Sequence, residues 1–152
     1  MPKTTPGRPI GQLLVQTTRF FQNELFRRLN EAGLDDVRVA HTQVSAYIKA
    51  DGSRLSELAS AARMTLPAMS ELVDDLEDLG YVAREPDPSD GRAKLVVLTD
   101  KGWRAMREAG RIIQALEAEF ATALGKRRYA EFKDSFSALL EHLDRTDTAE
   151  DG

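Results

Sequence analysis

Arg92 closes the run Asp87-Pro88-Ser89-Asp90-Gly91-Arg92, two residues after an aspartate and inside a loop rich in Pro, Asp and Gly. Pro86 and Pro88 keep that loop extended and cannot continue a strand ladder. Asp90 is spaced to hold the Arg92 guanidinium by a charge-assisted bond. A guanidinium on such a tip is either a solvated turn residue or a contact for an anionic partner such as duplex DNA. Arg84 and Lys94, on either side of the loop, serve either as phosphate contacts or as edge-strand charges that discourage aggregation. A second constellation lies upstream, in Thr65-Leu66-Pro67-Ala68-Met69-Ser70-Glu71. Thr65 is placed to cap a helix with Pro67 in its first turn. Pro67, Ala68, Ser70 and Glu71 then form the surface nearest its N-terminus. Amides there hold phosphate without a basic side chain, and a carboxylate accepts from the exposed amine of cytosine.

Other chemistries find little support. The absence of cysteine excludes disulfides, thiolate metal sites and thiol redox sensing. Glu71/Asp75 and Asp74/Asp78 share helix faces at i, i+4, but no His or Cys lies near them, so no metal site is expected. His41 and His142 fall on separate helices, and a satisfied structural histidine is the expectation for each. No glycine-rich phosphate loop is present. The expectation is a protein that is not an enzyme and carries no cofactor.

The elements that must position these residues follow from periodicity. Ile10–Ala32 places Ile10, Leu13, Leu14, Thr17, Phe21, Leu25, Phe26 and Leu29 on one stripe, with Gly33 as its stop. The stripe is broad enough to ask for a partner helix. Val39–Ala50 reads as a helix with Val44, Tyr47 and Ile48 inward. Ser53 reads as the cap of a helix over 54–62, and Leu66–Leu79 turns Met69, Leu72, Val73, Leu76 and Leu79 inward. Asp74, Asp75 and Asp78 are expected to point outward. Tyr81–Glu85 and Ala93–Leu98 alternate as two strands of a hairpin, with Val82 matching Leu95, Val97 or both. Thr99 caps a long helix reaching Leu124, Gly125 breaks it, and Lys126–Leu143 forms the last one. The order is a winged helix-turn-helix: mainly α with a small β-wing, the lobe spanning 39–98.

The 152 residues suffice for one domain with one sizeable core. Two-fifths apolar composition without a membrane-length apolar run points to a soluble, cytoplasmic protein with no membrane partner. Residues 1–9, with three prolines and no apolar run, read as a loose arm rather than a secretory signal. Residues 146–152 read as a frayed acidic tail. The formal charge of −4 is distributed awkwardly for a nucleic-acid binder: residues 53–80 hold two arginines (Arg54, Arg63) against six acids. A phosphate-binding surface is usually basic.

The succession LSELA at 55–59, ELVDDLEDLGYVAR at 71–84 and DPSDGRAKLVVLTDKG at 87–102 resembles the MarR family of bacterial transcription regulators. The resemblance spans nearly the whole chain. It implies a homodimer entwined through helices 10–32 and 99–143, a lobe on each side for a palindromic operator in double-stranded DNA, and repression relieved by a small, possibly aromatic effector. On this resemblance Arg92 enters the minor groove, Asp90 positions it, and Ser70 contacts phosphate or base. His41, with Arg19 and Arg38, stands near the region where relatives bind aromatic acids. Asp75 and Gly91 occupy places where relatives frequently carry arginine, and both substitutions remove positive charge.

Two readings of different kinds therefore stand: a ligand-responsive DNA-binding repressor, or a ligand-sensing or protein-interaction dimer whose acidic helix leaves DNA binding weak or absent. The Asp90/Arg92 loop favours the first and the charge distribution the second.

Overall fold

The computed structural model describes residues 7–150, with side chains to residue 146. The element order is α1 (Ile10–Glu31), a 3₁₀ turn (Val39–His41), α2 (Thr42–Ser45), α3 (Leu55–Ala61), α4 (Leu66–Asp78), β1 (Val82–Asp87), β2 (Asp90–Leu98), α5 (Asp100–Leu124) and α6 (Lys126–Glu150). The chain forms two compact units that divide within α5, between Ile112 and Ile113.

In the first unit α1 ends as its sequence requires, with Gly33 at φ +86°. Residues 7–20 are all exposed, Ile10, Leu13, Leu14, Val15 and Phe20 among them, whereas Leu25 and Leu29 are buried.

The helix expected over Val39–Ala50 is a 3₁₀ turn followed by the four residues of α2. β-Branched Val39, Thr42 and Val44 favour helix weakly. The Lys49 amide then leaves any helical ladder to donate to Ser53 Oγ at 3.0 Å. Val44 is buried as expected, but Tyr47 is exposed rather than inward. Ser53 does not cap α3. Its backbone bridges Val96, N to O at 3.0 Å and O to N at 2.8 Å, and Gly52 makes the approach at φ +95°. Arg54 is the N-cap, and its amide donates to Glu57 Oε2 at 3.1 Å.

α4 begins as its residues dictate: Thr65 Oγ1 accepts from the Ala68 amide at 3.3 Å and Pro67 sits in the first turn. Its inner stripe, Met69, Val73 and Leu76, meets Val44, Leu58, Ala59, Tyr81, Val82 and Val96 in the core. Leu34, Val37, Ile48 and Leu72 pack around that cluster.

β1 and β2 pair antiparallel with Val82 opposite Leu98, Arg84 opposite Val96 and Pro86 opposite Lys94. The hairpin is therefore longer than its sequence suggests and in a different register from the expected Val82–Leu95 or Val82–Val97. Pro86 stays in the ladder because β1 is an edge strand, where a missing amide can face outward. The ladder becomes irregular only between Pro86 and Asp87.

Thr99 caps α5 as expected. Its Oγ1 accepts from the Gly102 amide at 3.1 Å and donates to Gly80 O at 2.6 Å. The second unit comprises the rest of α5 and α6, joined at Gly125, φ +89°. Phe120 and Tyr129 lie 6.5 Å apart by ring centroid, and Lys133 Nζ donates to Glu117 at 2.8 Å. α6 continues to Glu150, seven residues beyond the expected end at Leu143, so residues 146–150 are helical rather than frayed. Phe132, Phe136, Leu139, Leu140 and Leu143 are all exposed on it. Among the described residues no helix is long and apolar enough to cross a membrane. The arm over 1–9 falls largely in residues 1–6, outside the described residues.

Candidate nucleic-acid interface

α4 and the β1–β2 hairpin belong to one lobe and expose their candidate residues together. Thr65, Pro67 and Glu71 are exposed at the start of α4, while Ala68 and Ser70 are half-buried. Opposite the buried stripe, the helix wheel groups Pro67, Glu71, Asp74 and Asp78, all exposed. On the hairpin Asp90, Arg92 and Lys94 are exposed and Arg84 is half-buried.

The acids of α4 are mostly engaged by cations from other elements. On one flank Arg84 donates through Nη2 to Asp74 Oδ1 at 2.6 Å and through Nη1 to Glu77 Oε2, while its amide donates to Glu77 Oε1 at 3.2 Å. On the other flank Asp75 accepts from His41 Nε2 at 2.6 Å and from Arg38 Nη2. These bonds from His41 and then Arg38 hold the Asp75 carboxyl below the usual carboxylate range. Asp75 thus does not point outward past a groove, as its sequence position suggested. It ties α4 to the 3₁₀ turn. Glu57 lies 3.8 Å from Lys49 Nζ. Of the six acids in residues 53–80, Glu71 and Asp78 remain without an ion-pair partner among the described residues.

This pairing changes the meaning of the charge distribution. The cations that answer the acidic run, Arg38, Lys49 and Arg84, lie outside it in sequence and beside it in space. Arg84 is consequently held between two carboxylates rather than projecting as a free phosphate contact. Arg38 and His41, two of the three candidates for holding a small molecule, are brought together on Asp75. Arg19 is exposed on α1 and does not join them. His41 is only 2 % exposed, so its ring is a structural joint in this conformation.

The hairpin tip departs from expectation in one bond. Asp90 Oδ1 accepts from the Arg92 backbone amide at 3.1 Å, not from its guanidinium. An aspartate reaches the amide two residues on as an Asx turn, which fixes the loop and leaves the Arg92 side chain to project. The root of the wing holds a cluster that local sequence did not disclose. Asp87, 7 % exposed, accepts from Ser89 N at 2.8 Å and Oγ at 2.7 Å through Oδ1, and from Arg54 Nε at 2.9 Å and Nη2 at 2.7 Å through Oδ2. The Ser89 bonds and then Arg54 lower the Asp87 pKa to about 2. Asp87-x-Ser89 was a legible turn signal. Its pairing with Arg54, 33 residues away, was not.

Such a lobe, with a helix N-terminus and an arginine-tipped wing exposed together, can meet adjacent grooves of a duplex. Comparison with known proteins agrees. A MarR family profile matches residues 37–93. The HTH-type transcriptional repressor Rv2887 of Mycobacterium tuberculosis is 29% identical over 135 residues, covering 89% of this chain and 93% of its own length. The S. aureus MepR–DNA complex gives a TM-score of 0.69 at 22% identity, covering 89% of this chain and 98% of that one, a likeness of fold. CouR of Rhodococcus jostii RHA1 bound to p-coumaroyl-CoA gives 0.68 at 25% identity, covering 87% and 92%. With its helix-turn-helix and paired wing, the chain carries a MarR-family match over residues 37–93 and is similar over most of its length to HTH-type transcriptional regulators.

Proposed function

We propose that the protein is a homodimeric repressor that binds a palindromic DNA operator and releases it when a small molecule binds. The observation that carries this reading is the partial offset of the acids of α4, two arginines facing three carboxylates. Asp74, Asp75 and Glu77 are each occupied by an arginine or histidine of the same lobe, while the first turn of α4 and Arg92 stay exposed. The acidic run therefore repels phosphate less than its sequence implies. In this reading Thr65, Pro67, Ala68 and Ser70 approach the major groove with the helix N-terminal amides on phosphate. Glu71 discriminates among bases, Arg92 enters the minor groove with Asp90 shaping its turn, and Lys94 meets the backbone. Arg84 braces α4 beside that surface.

The dimer reading is supported by the exposed apolar residues of α1 and of α6, which a second copy would cover. Repression is supported by the name of the mycobacterial relative. Release by a small molecule is supported by the CoA thioester carried by CouR. An effector needs only a differential affinity for the DNA-competent and DNA-incompetent dimer. Arg38 and His41 offer it a direct route, since a ligand that draws either away from Asp75 loosens α4.

The test is binding of the purified protein to duplex from its own promoter region across a salt series, beside Arg92→Ala. Tight binding that weakens steeply with salt, and drops in the variant with a shallower salt slope, supports the reading. No binding at low salt by an intact dimer overturns it and directs attention to protein partners.

A further inference from the structure

The wing is a two-stranded hairpin, an arrangement only marginally stable by itself. Besides the Arg84 bonds to Asp74 and Glu77 of α4, two attachments tie it to the segment that opens α3. Near its base the Ser53 backbone bridges Val96. Close to its tip, Arg54 grips Asp87 with two donors, Nε at 2.9 Å and Nη2 at 2.7 Å. This second grip falls where the strand ladder turns irregular, between Pro86 and Asp87, so regular strand pairing does not set the direction of the tip there. Asp87 is also the hub of the turn itself, because its other oxygen takes both donors of Ser89. Asp87 pairs across the hairpin with Asp90, two residues before Arg92. Arg54 Nη2 stands 4.0 Å from Asp90 Oδ2, so one guanidinium addresses both sides of the turn. Arg54 is the N-cap of α3, the first helix of the helix-turn-helix.

We propose that Arg54 is a positioning residue for DNA binding: by clamping Asp87 it refers the wing tip to the helix-turn-helix and fixes where Arg92 meets the minor groove. The inference rests on the reading of Arg92 as a DNA contact. A bidentate arginine–carboxylate pair has the geometric rigidity this requires, which a lysine would not supply. The competing account is that Arg54 touches phosphate itself, since its side chain is 39% exposed.

A double-mutant cycle separates the two. DNA dissociation constants are measured for the wild type, Arg54→Ala, Arg92→Ala and the double variant, with Asp87→Asn as a second way to break the clamp that leaves the Arg54 charge in place. Thermal melting without DNA establishes that each variant is folded, and Arg54→Lys replaces Arg54→Ala throughout if the alanine variant is not. The expected result is a loss of about tenfold for each single variant, the scale of one arginine contact. The double variant should bind no more weakly than Arg92→Ala. Losses that multiply in the double variant, or wild-type binding by Asp87→Asn, overturn the clamp while leaving Arg92 as a contact. Wild-type binding by Arg92→Ala overturns the underlying reading of the wing, and the clamp with it.

Discussion

His41 Nε2 lies 2.6 Å from Asp75 Oδ2, and the other ring nitrogen, Nδ1, accepts the Arg38 amide at 3.1 Å. A backbone amide can only donate, so Nδ1 is unprotonated and Nε2 carries the hydrogen that Asp75 receives. The imidazole thus joins the 3₁₀ turn to α4 with both nitrogens satisfied in a 2 % exposed site. Asp75→Ala would leave a buried N–H without its acceptor, which costs about 1–3 kcal/mol. The expected outcome is a lower melting temperature. Asp75→Asn, whose amide oxygen can still accept from Nε2, should recover much of the loss. Equal melting of wild type and Asp75→Ala would mean that the joint is not holding α4.

Gly102 is required by packing rather than by backbone conformation. A Cβ there would stand 2.1 Å from the Tyr81 carbonyl oxygen and 3.1 Å from Leu98 Cδ2. The first neighbour is backbone at the start of the wing and cannot rotate aside. Gly102→Ala must therefore shift α5 against Tyr81, and overpacking of this kind costs about 1–3 kcal/mol or more. Denaturant unfolding should show a lower midpoint. An unchanged midpoint would mean that the α5 start moves freely, contrary to the Thr99 bonds to Gly80 O and Gly102 N.

How much of this was legible in sequence depended on range. Thr65, Thr99, Gly33, Gly80 and Gly125 act on their own neighbours, and each stands at the helix boundary its type implies. The apolar stripe of α4 likewise needs only period 3.6. The ionic joints were not legible. Asp75 meets residues 34 and 37 positions earlier, and Arg54 meets Asp87 across 33. No local pattern distinguishes an acid that faces solvent from one that grips an arginine on a neighbouring element. The hairpin register failed for a related reason. Two prolines suggested an early end to pairing, but on an edge strand Pro86 remains opposite Lys94.

Asp87 predicts a specific acid limb in stability. Its folded pKa, about 2, lies below the ordinary value of 3.8. The folded state therefore favours the ionised carboxylate, and the unfolded chain binds the proton first as pH falls. The stability Asp87 contributes is fully present above about pH 4 and is lost as pH falls through about 2. Asp87→Asn removes this limb. The stability gap between wild type and variant, measured by denaturant unfolding, should be widest near neutrality and narrow below pH 4. A gap independent of pH would show that the charge of Asp87 is not what the fold uses.

The exposed apolar run of α6 makes the assembly testable. Leu140 is 58 % exposed, within a helix that also exposes Phe132, Phe136, Leu139 and Leu143. A soluble monomer rarely leaves so many large apolar side chains together in water. If a second copy covers them, Leu140→Glu buries an unpaired charge in the interface and dissociates the dimer. Sedimentation at micromolar concentration should find a dimeric wild type and a monomeric variant. A monomeric wild type under those conditions would remove the homodimer from the proposed function.

Glu71 carries the remaining question of specificity. It is exposed near the start of α4, on the face opposite the buried stripe, and has no ion-pair partner among the described residues. Arg38 and Arg84 offset two of the three charges on Asp74, Asp75 and Glu77, and Glu71 is, among the described residues, the acid with no cation beside it that stands nearest the helix N-terminus, Asp78 lying two turns farther on. Under the proposed reading this turn enters the groove, and an acid retained there is useful if it accepts from cytosine N4 and rejects bases that present an acceptor there. Glu71→Ala should then tighten binding to unrelated duplex by removing a repulsion, and relax preference at one base pair of each half-site. Selection of binding sites from randomised duplex, run for both proteins at one salt concentration, reads both effects. Tighter binding with an unchanged site preference would reduce Glu71 to a source of repulsion, and base reading would pass to Ser70 and the amides of the first turn.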